Sequence, residues 1–197
     1  MAANNDLPHR TVGLATVGHG TRTFGELLDI LAAAGVQRVV DVRSYPQSRR
    51  FPWFGRQRLD ANLERAGIAY VWMGRELGGK RRVTPDTAAQ HPALDRGMAA
   101  FASHMASPAF ARAARNVRAM TGGSDGSVAL LCAERDPAQC HRGLVADYMQ
   151  MVEDVAVVHW LAPGHSRLHE NDPAVRIGND GTLCYDGGYT LSLWTSA

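Results

Sequence analysis

Apolar positions along the chain follow two rhythms. Short, nearly continuous apolar runs occupy residues 11–17, 38–42, 68–73, 128–132 and 155–161, with the length and β-branched content of core strands. Between these runs the apolar residues recur three or four apart, as along one side of a helix. Leu27, Leu28, Ile30 and Leu31 follow a capping-box pair, Thr23 and Glu26, and precede Gly35. Leu59 and Leu63 mark a helix over residues 56–66, closed by Gly67. Two more are expected over residues 93–105 and 108–120, the latter capped by Ser107, with Gly122-Gly123 ending the pair.

Strands alternating with helices imply right-handed crossovers and a mainly parallel sheet covered on both faces, so the fold class is α/β. Residues 44–55 are rich in arginine, proline and aromatics and read as a long irregular loop. Residues 74–92 read as a second, mobile loop. After the fourth strand, Asp136 stands as a helix N-cap, Pro137 at the first helical position and Gln139 where a capping box places its acceptor. The helix is therefore expected to start at Pro137 and to contain Cys140. Residues 1–10 form a flexible N-terminus, residues 11–161 one domain, and residues 162–197 an extension packed on it. That extension is expected to carry a hairpin of Val175-Arg176-Ile177 and Leu183-Cys184-Tyr185 around Asn179-Asp180-Gly181.

Composition narrows the class. A chain of 197 residues, 45% hydrophobic and 20% charged, suits one well-buried soluble core. A net charge of +2 announces neither a nucleic-acid nor a membrane protein. The cysteines, Cys132, Cys140 and Cys184, are odd in number and without framework spacing. The first ten residues lack an apolar signal core, and no run approaches the ~20 apolar residues that span a bilayer. A reduced, cytoplasmic setting with free thiols and no membrane partner is expected.

Open α/β sheets bind ligands outside the carboxyl ends of their strands. His19 and Thr21 follow the first strand, Arg43 the second, and Arg75 and Glu76 the third. Cys132, Glu134 and Arg135 follow the fourth, and His141 and Arg142 lie just beyond. Topology predicts that these groups converge on one crevice. Cys132, beside a helix N-terminus and guanidinium groups, is the expected nucleophile or redox centre; the alternative is a small buried hydrophobe ending a core strand. Glu134 or His141 would transfer protons, unless Glu134 simply pairs with Arg135 or Arg142. Cys140 reads as packing. Adjacent residues on a helix diverge by about 100°, so Cys140 and His141 are not expected to share a zinc ion, and a mixed Cys132, His19 and His141 site has only weak spacing. No metal and no cofactor are expected.

His19 sits in a Gly-His-Gly turn before a helix, which suits an anion but lacks any nucleotide-binding spacing. The loop after the second strand interleaves Arg49 and Arg50 with Tyr45, Phe51, Trp53 and Phe54, a composition fit for phosphate contacts and base stacking. Between Asp41 and Arg82, ten basic residues stand against four acidic ones. The alternative is a loop whose aromatics fold onto the core while its arginines are solvated.

Six segments, in order, carry a resemblance: Thr16-Val17-Gly18-His19-Gly20, Asp41-Val42-Arg43-Ser44-Tyr45-Pro46, Ser48-Arg49-Arg50-Phe51, Glu76-Leu77-Gly78-Gly79, Leu131-Cys132-Ala133-Glu134 and Cys140-His141-Arg142. Together they resemble the domain-of-unknown-function 488 family over residues 11–160. The resemblance implies a single Rossmann-like three-layer domain and, through a label some members carry, a link to DNA repair. His19-Gly20 stands where many members have His-Ser. The leading expectation is a hydrolase or transferase that uses Cys132 and binds a phosphate-bearing small molecule or nucleic acid. His19, Arg43, Arg49, Arg50, Glu76 and Arg142 would line the ligand site. A non-enzymatic nucleic-acid-binding or repair-associated module, and a thiol redox or sulfur-transfer protein, are the alternatives.

Overall fold

Apolar runs form the central strands of the computed structural model, which describes residues 13–121 and 127–187. The central sheet contains β1 (Leu14–Gly18), β2 (Val36–Asp41), β3 (Ala69–Trp72), β4 (Ser127–Cys132), β5 (Val157–Ala162) and β6 (His165–Leu168). Their order is β3-β2-β4-β1-β5-β6. The first five run parallel and β6 returns antiparallel on β5. A separate antiparallel pair, β7 (Val175–Ile177) and β8 (Leu183–Tyr185), forms the expected hairpin, with Gly181 at φ +79° supplying its tight turn. The mixed α/β class and its mainly parallel sheet are as the sequence pattern predicts. Residues 11 and 12 of the expected first strand, and Gly122-Gly123, lie outside the described residues.

Period-two alternation divides the core in two. Ala129 and Leu131 pack with Ala15, Val17 and Val39 against Leu27, Ile30 and Leu31 of α1 (Phe24–Ala33) and Leu59 and Leu63 of α2 (Arg56–Arg65). Val128, Leu130 and Cys132 face the other way, toward α5 (Arg96–Met105), α6 (Pro108–Thr121) and α7 (His141–Met151). Successive strand residues point to opposite faces, so this parity decides which functional side chains can meet. Fully burying one leucine on either face contributes roughly 1.5–3 kcal/mol. No helix among the described residues is long and apolar enough to cross a membrane.

Three local expectations need correction. The 74–92 stretch holds two short helices, α3 (Gly74–Leu77) and α4 (Pro85–Gln90). Thr84 and Thr87 cap α4 reciprocally, and Pro85 opens it. A helix of four or six residues has too few turns to show an apolar period. The expected helix start at residue 93 moves to Arg96, because the Asp95 carboxylate accepts from the Gly97 and Met98 amides. Asp136 caps only a 3₁₀ turn, Pro137–Gln139, and α7 begins at His141 with Cys140 as its N-cap.

Candidate functional site

Because Cys140 is an N-cap, its backbone is extended (φ −140°, ψ 137°), and the helical divergence between neighbours does not apply to it. The 3₁₀ turn doubles the chain back, and the Cys140 sulfur comes to 3.0 Å from that of Cys132 at the end of β4. His141 turns toward both: its Nδ1 lies 3.7 Å from the Cys132 sulfur and 3.8 Å from the Cys140 sulfur. The other ring nitrogen, Nε2, is 3.2 Å from the Val42 carbonyl. A carbonyl only accepts, so Nε2 carries the proton and Nδ1 presents its lone pair to the sulfurs. Phe101 holds the ring edge-on at 5.0 Å. Gly79 lies so close that a Cβ there would sit 2.6 Å from the imidazole.

The two thiols are electrostatically unlike. The hydrogen bond with Cys132 lowers Cys140 to about 7, against the effect of burial, and the charge and backbone N–H of Arg142 act in the same direction. The same sulfur–sulfur contact, and then burial, push Cys132 well up. The two thiols are thus shifted in opposite directions, Cys140 toward ionisation and Cys132 away from it. Both cysteines are nearly sealed, at 4% and 3% exposure.

Strand parity places other predicted residues on the opposite face. Asp41 and Arg43 form a buried pair, with Arg43 Nε and Nη2 on the two carboxylate oxygens at 2.8 and 2.6 Å. Arg43 Nη1 also reaches the Phe54 carbonyl at 2.9 Å and His19 Nε2 at 3.2 Å. His19 stacks on Phe54 at 4.2 Å and is lowered to about 4 by burial and then by Arg43. Arg43 and His19 therefore serve an internal network behind the sheet. The Arg142 guanidinium is equally enclosed, donating to the Glu134 and Arg135 carbonyls at 2.9 and 3.1 Å.

The acidic candidates contribute backbone more than carboxylate. Glu134 is exposed and offers its carbonyl to Arg142, and the Glu76 carbonyl accepts from Arg81 and His104. Arg49 and Arg50 are exposed, with Arg50 lying over the Phe51 ring at 5.4 Å.

A second polar network was not anticipated. Thr16 Oγ1 meets His159 Nδ1 at 2.7 Å, His159 Nε2 meets His169 Nδ1 at 2.9 Å, and His169 Nε2 meets Asp147 at 3.0 Å. Asp147 also accepts from the Tyr185 hydroxyl and the Asp172 amide. His169, Asp172 and Tyr185 come from the polar tail, where a lone histidine or tyrosine carries no sequence signal. The one available hint was Asp147, a carboxylate amid the apolar residues of a buried helix.

A family model described as domain of unknown function DUF488 matches residues 23–149, well over half of the chain. The match includes five of the six segments and begins after the first, Thr16-Val17-Gly18-His19-Gly20. No curated protein and no solved structure matches the chain.

Proposed function

Because this chain belongs to the DUF488 family, whose description names no activity, we propose from its site that it is a thiol redox protein working through Cys140 and Cys132. The observation that carries this reading is the 3.0 Å approach of the two sulfurs beside the free lone pair of His141. Near-complete burial of both cysteines restricts the oxidant to a small molecule, of which a hydroperoxide is the simplest class. The Cys140 thiolate attacks the terminal peroxide oxygen, and the O–O bond breaks. Cys140 becomes a sulfenic acid, and the departing alkoxide or hydroxide takes a proton from solvent. Cys132 then attacks the Cys140 sulfur, passing its proton by way of His141 Nδ1 to the hydroxide that leaves as water. Two sulfurs lose two electrons in all, and the peroxide is reduced by two.

Treating reduced, chelator-stripped protein with hydrogen peroxide is expected to consume two of the three thiols and to yield a Cys132–Cys140 disulfide on peptide mapping, with Cys184 free. Retention of all three thiols, or over-oxidation of Cys132 alone, overturns the reading.

A second reading, a transferase, hydrolase or binding module for a phosphate-bearing ligand or nucleic acid, is favoured by one feature. Arg49 and Arg50 are exposed beside the Phe51 ring, a cation and aromatic surface that a phosphate and a base can reach. Single-stranded DNA binding that weakens with salt, and weakens further on changing Arg49 and Arg50 to Ala, supports it. No binding at low salt removes it.

A further inference from the structure

We propose that Cys132, Cys140 and His141 together bind one thiophilic metal ion of the zinc class, as a Cys2His set that leaves a fourth position for water or a small ligand. This goes beyond the redox reading, since it requires only that both sulfurs be reduced.

Three geometric features carry it. First, the three donor atoms lie within 4.8 Å of one another at the end of one strand and the start of one helix. Tetrahedral zinc, with bonds of roughly 2.3 Å to sulfur and 2.0 Å to nitrogen, sets sulfur–nitrogen edges of about 3.5 Å and a sulfur–sulfur edge of about 3.8 Å. The observed sulfur–nitrogen edges, 3.7 and 3.8 Å, already fit to within a few tenths of an ångström. Only the 3.0 Å sulfur–sulfur edge must open, by about 0.8 Å.

Second, His141 is arranged as a metal-ligating histidine is. The Nε2 proton goes to a backbone carbonyl, which fixes the tautomer and aims the Nδ1 lone pair at the sulfurs. A histidine held only for packing has no need of that orientation toward two thiols. Third, the surroundings favour paired thiolates. The Arg142 amide points at the Cys140 sulfur at 3.5 Å, and the positive end of the eleven-residue α7 faces it. Two sulfur donors and one imidazole select zinc or cuprous copper over magnesium or calcium, which take oxygen ligands. Three protein ligands with one position open is the donor count of catalytic zinc, whereas structural zinc is closed by four.

The metal and the disulfide exclude one another, because a sulfur that has formed the S–S bond has lost the electrons it would share with the ion. Occupancy would therefore shield the pair from oxidation, and oxidation would release the ion.

The test is a Co²⁺ titration of the full-length chain, kept reduced under argon, followed by competition with Zn²⁺. One equivalent of Co²⁺ is expected to give a sulfur-to-cobalt charge-transfer band with the visible bands of tetrahedral cobalt, and Zn²⁺ is expected to abolish both. Cys132→Ser and Cys140→Ser are expected to lose the charge-transfer intensity and at least tenfold in affinity, and His141→Gln to weaken binding by a similar factor. Cys184→Ser should titrate like the parent. A missing charge-transfer band, or one that survives in both site variants, overturns the proposal.

Should the variants fail to fold, the unaltered chain still decides the matter. Zinc is expected to slow iodoacetamide labelling of Cys132 and Cys140 at least tenfold while Cys184 labels as before. Equal labelling with and without zinc overturns the site. Metal binding without peroxide-driven disulfide formation rejects only the redox function, and disulfide formation without metal binding rejects only the metal site.

Discussion

Arg43 and Cys132 both stand at strand ends in the sequence, and both locations are correct, yet the two side chains serve different faces of the sheet. The information that separates them was present: Val39, Asp41 and Arg43 share one parity, whereas Val40 and Val42 share the other with Leu130 and Cys132. Cys140 was illegible for another reason. Its role depends on a backbone that stays extended for one residue between a 3₁₀ turn and a helix, a choice the capping residues at 136 and 139 obscure. His159 illustrates a residue whose burial has a measurable consequence. Burial lowers it to about 3, with His169, Arg142 and Arg167 acting in the same direction, so it is neutral in the folded chain at any ordinary pH. The unfolded chain, near 6.5, takes up this proton first. The stabilisation from neutral His159 is therefore complete above about pH 6.5 and is lost as pH falls toward 3, by roughly 2 kcal/mol at pH 5. Urea unfolding midpoints measured across this range are expected to fall with acidity, and His159→Asn to flatten that acid limb. An unchanged slope in the variant would assign the acid sensitivity to other groups.

Among the elements, α7 carries most of what matters. Its first turn holds His141 and Arg142, and six residues on, Asp147 receives three donors from the C-terminal extension: His169, the Asp172 amide and Tyr185. One carboxylate thus ties β6, the segment after it and the β7–β8 hairpin to the domain. Replacing Asp147 with Ala leaves Tyr185 and His169 buried without their acceptor, at a cost on the order of 3 kcal/mol. Limited proteolysis is expected to cut such a variant within residues 165–187 well before the parental chain. Equal protection of that segment would show that apolar contacts such as Leu183 hold it instead. The alternation of strands and helices was legible because each apolar run is long enough to show its period. The exceptions, α3 and α4, are too short for a period, and the latch onto Asp147 joins residues that no local pattern connects.

For the molecule as a whole, the sheet order has the largest reach. β1 and β2 are consecutive in the chain but are not neighbours; β4, synthesised about a hundred residues later, is inserted between them and pairs with both. Until residue 132 is available, the first two crossover units have no common partner, and neither half of the core can close. Contacts of such long range raise the loop-closure cost that must be met before any reward. A chain emerging from the ribosome therefore keeps Cys132 and Cys140 open to solvent until the very strand that bears Cys132 slots home. Assembly of the thiol site and completion of the fold become a single kinetic event, and during that interval the unpaired β1 and β2 edges are where this sequence is most exposed to misassociation.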